Sequence, residues 1–362
     1  MKILLVNQHP LDVIGGSEIQ CDLIAAELAR RGHDVLYFAV NGRQTAYAAP
    51  YRVEAGALTW RNLARTLAHF QPDLVYWRHN KRQLLRSVLL FKLKRVKVVF
   101  AISHQNDVGK WAHKVRRGGE RWRETLTWLR TSWRPALASR VNHFGYYLVD
   151  GVVAQLRQQT GQLPIKREIV IANSVDASAE PFAWKRPFVI WAASIKQSKN
   201  PERFIELARS LQDAPVDFLM AGEIVHRRYH ELIAQAASLP NFHYLGAKTY
   251  RELNGMIRQA RLLVHTCEPE GFPNILIQAW MQGKPTVSLY YDPDQMIAQH
   301  RLGCCSGTFA QFQTDVRRLL TDDELCATMG QRARQFAEAR FSPEYNVREL
   351  EAFFRKICEQ KL

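Results

Sequence analysis

A chain of 362 residues, 47% of them apolar, is long enough for two domains with separate cores and too apolar for disorder to be the expectation. No apolar run reaches the ~20 residues of a membrane-spanning helix, and the opening MKILLVNQHP turns polar too soon for a secretory signal, so the expected location is the cytoplasm. The formal charge of +16 is concentrated: between Arg78 and Arg140 stand 17 Lys and Arg against three acids, a surface suited to phosphate, anionic lipid or acidic polysaccharide.

Taken in order, KILLVN (2–7), DVLYFAV (34–40), DLVYW (73–77), VKVVFAI (96–102) and GVVA (151–154) read as strands. Between the first two, Ser17 to Arg31 carries apolar residues at Ile19, Leu23, Ile24 and Leu28 and stops at Gly32, a helix pattern with its usual terminator. A further helix is expected over 80–95. The alternation predicts a parallel sheet wrapped by helices. The stretch EIVIANSVDASAEPFAWKRP then interrupts it with turn formers and prolines, placing a linker near 174–186.

Beyond it the alternation resumes: PFVIWAA, DFLMAG, FHYLG, RLLVHT and PTVSL are predicted strands, and from Asp322 onward the chain reads as helix, broken at Phe341-Ser342-Pro343 where Ser342 can cap. The expected organisation is one doubly wound domain over 1–174, with the basic segment 78–143, a second over 175–342, and a helix over 343–362 packing back on the first. Six cysteines without repeated spacing or a neighbouring histidine pattern argue against a zinc site or a disulfide framework.

Three motifs fall on strand-to-helix turns, where doubly wound domains bind ligands. Gly15-Gly16-Ser17-Glu18 opens the first helix; paired glycines let backbone approach a phosphate, although such a pair is often only a tight turn. SIKQSKNP (194–201) puts Lys196 and Lys199 in a loop after a strand, where an ammonium reaches a diphosphate as a point charge or simply meets solvent. CEPEGFPNILIQAW (267–280) leaves a strand, places Glu270 before a Gly-Phe-Pro turn, and sets Pro273 at the first position of a helix whose free N–H groups at Asn274 and Ile275 suit an anion. Gln278 follows Glu270 by eight residues; the pair either faces one binding mouth or serves as a cap and an exposed side chain.

Together these motifs resemble the family 4 glycosyltransferases. EGFPNILIQAWMQGKPTV is similar to the family signature, and GGSE, SIKQSKNPE, IANSVD, VDFLMAGE and NFHYLG stand in the family's order and place. The resemblance implies the GT-B architecture, two facing Rossmann-like α/β domains with a cleft between them. It also implies retaining transfer of a sugar from a nucleotide donor (UDP- or GDP-sugar) without a metal or other cofactor.

By the same resemblance Glu270 contacts donor-sugar hydroxyls, and Gly271, Phe272, Pro273 and the amides around Asn274 and Ile275 bind the diphosphate. Lys199 meets it from the other side, Gly15 and Gly16 let the first domain approach, and His104 in SHQND steadies charge in the transition state. The implied catalytic set is Glu270, His104 and Lys199. Two positions depart from the pattern. Gln278 replaces the usual ribose-binding Glu, a loss of about 1 to 2 kcal/mol in charge-assisted bonding. Ser194 replaces the usual Arg, leaving Lys196 to cover its oxygens.

Arg121 to Val141 spaces Trp122, Leu126, Leu129 and Trp133 along one helical face, flanked by Arg121, Arg123, Arg130 and Arg134. That pattern fits peripheral contact with an anionic membrane, or an apolar face packed on its own domain. A basic first domain favours a glycan or lipid-linked acceptor, as in lipopolysaccharide or polysaccharide assembly. Nucleic acid is not the expected partner, because the segment lacks an interleaved aromatic motif or recognition helix. The alternatives are a weakened relative that binds nucleotide or glycan without transfer, and a nucleotide-sugar epimerase.

Overall fold

The computed structural model describes residues 1–13, 15–44, 46–80, 83–103, 107, 142–165, 167–268 and 271–359. The chain divides into two compact units, residues 1–173 with 343–362, and residues 174–342.

In the first unit, β1 (Lys2–Asn7), β2 (Asp34–Val40), β3 (Arg52–Gly56), β4 (Leu74–Trp77), β5 (Lys97–Ala101), β6 (Gly151–Ala154) and β7 (Glu168–Val170) form a parallel sheet in the order β3-β2-β1-β4-β5-β6-β7. Helices α1 (Gly16–Arg30), α2 (Trp60–Phe70) and α3 (Leu84–Leu93) cover it. The alternation within β1 shows how. Leu4 and Val6 join the core with Leu63 and Leu67 of α2 and Val88 and Phe91 of α3. Ile3 and Leu5 join the opposite core with Ile24 and Leu28 of α1, and with Val347, Leu350, Phe354 and Ile357 of the C-terminal helix Pro343–Glu359.

The helices begin where local chemistry allows. Thr59 caps α2, its hydroxyl accepting from the Asn62 N–H at 3.2 Å. The 80–95 expectation shortens to α3, Leu84–Leu93. Strands β3 and β7 carry no apolar run; β7 occupies Glu168–Val170, inside the stretch whose turn formers suggested a connection. Both are sheet edges, with side chains partly in water, so neither needs the continuous apolar run of a buried parallel strand.

In the second unit, β8 (Phe188–Ala192), β9 (Asp217–Ala221), β10 (Phe242–Tyr244), β11 (Leu262–His265), β12 (Thr286–Ser288) and β13 (Gly303–Cys305) form a parallel sheet in the order β10-β9-β8-β11-β12-β13. Its helices are α4 (Pro201–Ser210), α5 (Arg228–Ala236), α6 (Tyr250–Gln259), α7 (Asn274–Met281), α8 (Met296–His300), α9 (Phe309–Thr321) and α10 (Asp323–Arg340). The capping box Thr249…Glu252 starts α6: the Thr249 hydroxyl accepts from the Glu252 N–H, and the Glu252 carboxylate accepts from the Thr249 N–H at 2.7 Å. Gly255 on α6 is needed for close approach, since a Cβ there would lie 2.0 Å from the Glu180 carbonyl oxygen.

The C-terminal helix supplies most of the apolar cover on one sheet face of the first unit, and Phe354 within it is fully buried. Phe354→Ala is expected to cost about 3–5 kcal/mol. Hydrogen exchange should show protection lost in β1 and β5 and unchanged in β8 and β9; equal loss in both sheets would count against this division of the core.

Candidate functional site

Each sheet reverses its winding direction once. In the second unit the reversal lies between β8 and β11, which pair in parallel with Leu262 opposite Val189 and Leu263 opposite Ile190. Their carboxyl ends leave in different directions and open a crevice, the usual ligand position in a doubly wound sheet. The loop after β8 is Ala193 to Asn200, and the loop after β11 is Thr266 to Pro273. Two of the three sequence motifs therefore meet at one point.

Thr266 joins them. Its hydroxyl donates to the Lys199 carbonyl at 2.7 Å and accepts from the Trp191 indole N–H at 2.8 Å. The Asn200 amide donates back to the Thr266 carbonyl at 3.1 Å, and the Glu268 N–H donates to the Ser198 carbonyl at 3.0 Å. Lys199 closes a short 3-10 turn, Gln197–Lys199, whose flanking residue is Lys196; Asn200 then adopts a left-handed conformation (φ 46°) that turns the chain into α4. Both lysines are half-buried and Ser194 is exposed.

Beyond residue 270, Gly271 is buried and its carbonyl accepts from the Tyr291 hydroxyl at 3.2 Å. The Phe272 ring is turned inward, with centroids 5.4 Å from Phe341 and 6.4 Å from Trp280, and so fixes the loop from behind. Pro273 is the extended residue before α7 and not its first helical residue, one position short of the expectation. Asn274 and Ile275 open the helix, half-buried, and Pro273 at its N-cap position has no side-chain acceptor to offer them.

Gln278 is neither exposed nor open at both ends of its amide. It is 4% exposed, and its Nε2 donates to Asn254 Oδ1 at 2.9 Å. The Asn254 Nδ2 donates in turn to the carbonyls of Asp176 (3.0 Å) and Ser178 (2.8 Å). The same stretch of chain is held by Tyr250 Oη on the Asp176 carbonyl and Gln282 Nε2 on the Ala177 carbonyl.

His265, the last residue of β11, was not singled out by any sequence pattern. Its Nδ1 lies 3.2 Å from Ser288 Oγ, which donates its own proton to the Tyr291 carbonyl. Ser288 is thus the acceptor, and the imidazole proton sits on Nδ1. Nε2 is buried without a hydrogen-bond partner among the described residues. Burial, and secondarily the charge of Lys199, push the His265 pKa down to about 3.

In the first unit the reversal lies between β1 and β4. Gly15 is the extended residue before α1 and Gly16 its first residue. Asn7, at the end of β1, donates to Ser17 Oγ at 3.0 Å. At the end of β4, Arg78 is 5% exposed and donates to Asn173 Oδ1 at 2.7 Å. Burial pushes the Glu18 carboxyl up, an effect the Arg78 charge opposes. Glu270 and His104, and the basic-face residues Arg121, Trp122, Arg123, Arg130, Trp133 and Arg134, lie outside the described residues.

The neutral His265 makes acid stability a test of this geometry. Unfolded histidine takes up a proton near pH 6.5, while the folded side chain resists it to about pH 3. Between these values the unfolded state binds more protons, and stability falls as pH falls, by at most ~1.4 kcal/mol per unit. Melting temperatures of parent and His265→Gln at pH 7.5, 6 and 5 should converge as pH drops; parallel curves would show that His265 is not buried in the neutral form.

Comparison with known proteins adds a family match over part of the chain and a fold. Residues 175–336 match the family model described as Glycosyl transferases group 1. No curated protein matches the chain by sequence. Among solved structures, Anabaena HepE in complex with UDP-glucose superposes at TM-score 0.73 with 15% identity, over 98% of this chain and 100% of that one. An S. aureus TarM mutant in complex with Fondaparinux, alpha-GlcNAc-glycerol and UDP gives TM-score 0.75 at 12% identity, over 98% and 99% of the two chains. WaaG, a glycosyltransferase involved in lipopolysaccharide biosynthesis, gives 0.65 at 15% identity, over 97% and 98%. The chain is a two-domain α/β protein of GT-B fold whose residues 175–336 match the glycosyl transferases group 1 family model.

Proposed function

We propose that the chain is a retaining, family 4 glycosyltransferase that moves a hexosyl group from a UDP- or GDP-sugar to a glycan or lipid-linked acceptor. The observation that carries this reading is the meeting of the Lys196–Lys199 loop with the start of α7 at one reversal point, stitched by Thr266. A diphosphate placed there meets the Lys199 loop on one side and the N-terminal end of α7, with its dipole, on the other. HepE, which shares the fold, is bound to UDP-glucose, and the TarM mutant to UDP together with glycan ligands.

In this mechanism Glu270 holds donor-sugar hydroxyls and His104 steadies positive charge at the anomeric carbon. The bond from that carbon to the leaving diphosphate breaks as the acceptor hydroxyl bonds to the same face, and the acceptor's proton passes to the diphosphate. Lys199, Lys196 and the helix amides stabilise the charge growing on the leaving group. No metal is required. The acceptor side is the basic first unit, and the +14 segment suits a polyanionic or lipid-linked acceptor at the inner face of a membrane. No helix among the described residues is long and apolar enough to cross a membrane. A role in lipopolysaccharide or polysaccharide assembly, the setting of WaaG, fits that surface.

Thermal shift in EDTA against UDP, GDP, ADP, CMP and their sugar conjugates tests the reading, since a ligand at 100 times its Kd stabilises by about 2.7 kcal/mol. One nucleotide series is expected to raise the Tm, with the sugar's additional shift absent in Glu270→Ala. Lys199→Ala should lower kcat by about 10²–10³. A parent that responds to no nucleotide, or only after a divalent metal is added, would sink it.

A further inference from the structure

The hydrogen bonds around Gln278 settle which end of its amide is available to a ligand. Asn254 Nδ2 is held by two backbone carbonyls, those of Asp176 and Ser178, so its Oδ1 must face residue 278 and calls for a donor there. Gln278 Nε2 is that donor. Its Oε1 accepts no hydrogen bond among the described residues, yet it is not among the atoms sealed from solvent without a partner. One N–H of Nε2 is committed to Asn254, and Oε1, on the other arm of the planar amide, is the acceptor left outside that pair.

We infer that Asn254 is a positioning residue that locks the Gln278 amide with Oε1 outward, so that it accepts hydrogen bonds from the hydroxyls of a nucleotide ribose bound at the start of α7. The inference rests on the nucleotide-sugar reading above and adds what that reading lacks, a reason why an amide can stand where a carboxylate is usual. It also reverses a simple expectation. A glutamate at 278 would set its oxygens against Asn254 Oδ1, and turning Asn254 over to supply a donor would bring that oxygen against two carbonyls while giving up both of its bonds. Gln278→Glu therefore damages the site instead of restoring it. Asn254 is fully buried and lies one residue before Gly255, whose missing Cβ admits the Glu180 carbonyl, so the whole connector 176–180 lies against this face of α6.

The test has two arms on the full chain. In the first, without ligand, Gln278→Glu should melt several degrees below the parent; a variant as stable as the parent overturns the inference. In the second, calorimetric titration compares UDP, GDP and ADP with their 2′,3′-dideoxy forms. The parent should prefer the hydroxylated form of its nucleotide by about tenfold, the equivalent of one to two hydrogen bonds. In Asn254→Ala that preference should shrink to within about threefold, while affinity for the dideoxy form stays unchanged. A merely structural role would weaken both forms alike. If Asn254→Ala does not fold, Asn254→Ser serves in its place. Preference retained in the Asn254 variant, or absent from a parent that does bind nucleotide, overturns this inference alone. A parent that binds none of the nucleotides overturns the transferase reading and the ligand role of Gln278 with it.

Discussion

One hydroxyl determines the geometry of the second unit's crevice. Strands β8 and β11 are neighbours in the sheet but lie some seventy residues apart in the chain, and their loops have no covalent reason to stay in register. Thr266 supplies a physical reason: it donates to one loop, accepts from the buried indole of Trp191, and offers its own carbonyl to Asn200. This contact fixes the distance between the loop that ends at Lys199 and the loop that leads into α7. Such a hydrogen bond contributes little to net stability, about 1 kcal/mol. Its value lies in preorganisation, since loops already held together need not be ordered later.

The crevice also shows buried polar groups satisfied in different ways. Asn254 spends both of its N–H groups on backbone carbonyls and its oxygen on Gln278, which fixes its orientation and that of the Gln278 nitrogen. His265 satisfies one nitrogen and leaves the other bare, which burial tolerates only because the ring stays neutral.

How much of this was legible depends on whether the controlling contact is local. The central strands β1, β2, β4 and β8 are buried on both faces and so are written as continuous apolar runs that can be read without a structure. Strands β3, β7 and β13 are edges; RVEAG, EIV and GCC carry no such run, and their pairing comes from neighbours already in place. The motif loops were visible because glycines, prolines and lysines cluster in sequence. Thr266, His265 and Asn254 were not, because their partners stand between 23 and 78 residues away. The burial of Gln278 is the clearest case: its helical position was readable, but the acceptor that claims its nitrogen lies on another helix.

The C-terminal helix has a consequence for how the molecule is made. It completes a core face of the first unit, yet the ribosome delivers it only after the entire second unit, residues 174–342. At ordinary translation rates that interval is on the order of ten to thirty seconds. Throughout it, the sheet face carrying Ile3, Leu5 and Val99 has only α1 for cover, and the part that Val347, Leu350, Phe354 and Ile357 will fill stays open. During synthesis, then, the first unit is a client for whatever shields exposed apolar strands in the cell, while the second can close on its own as soon as it emerges.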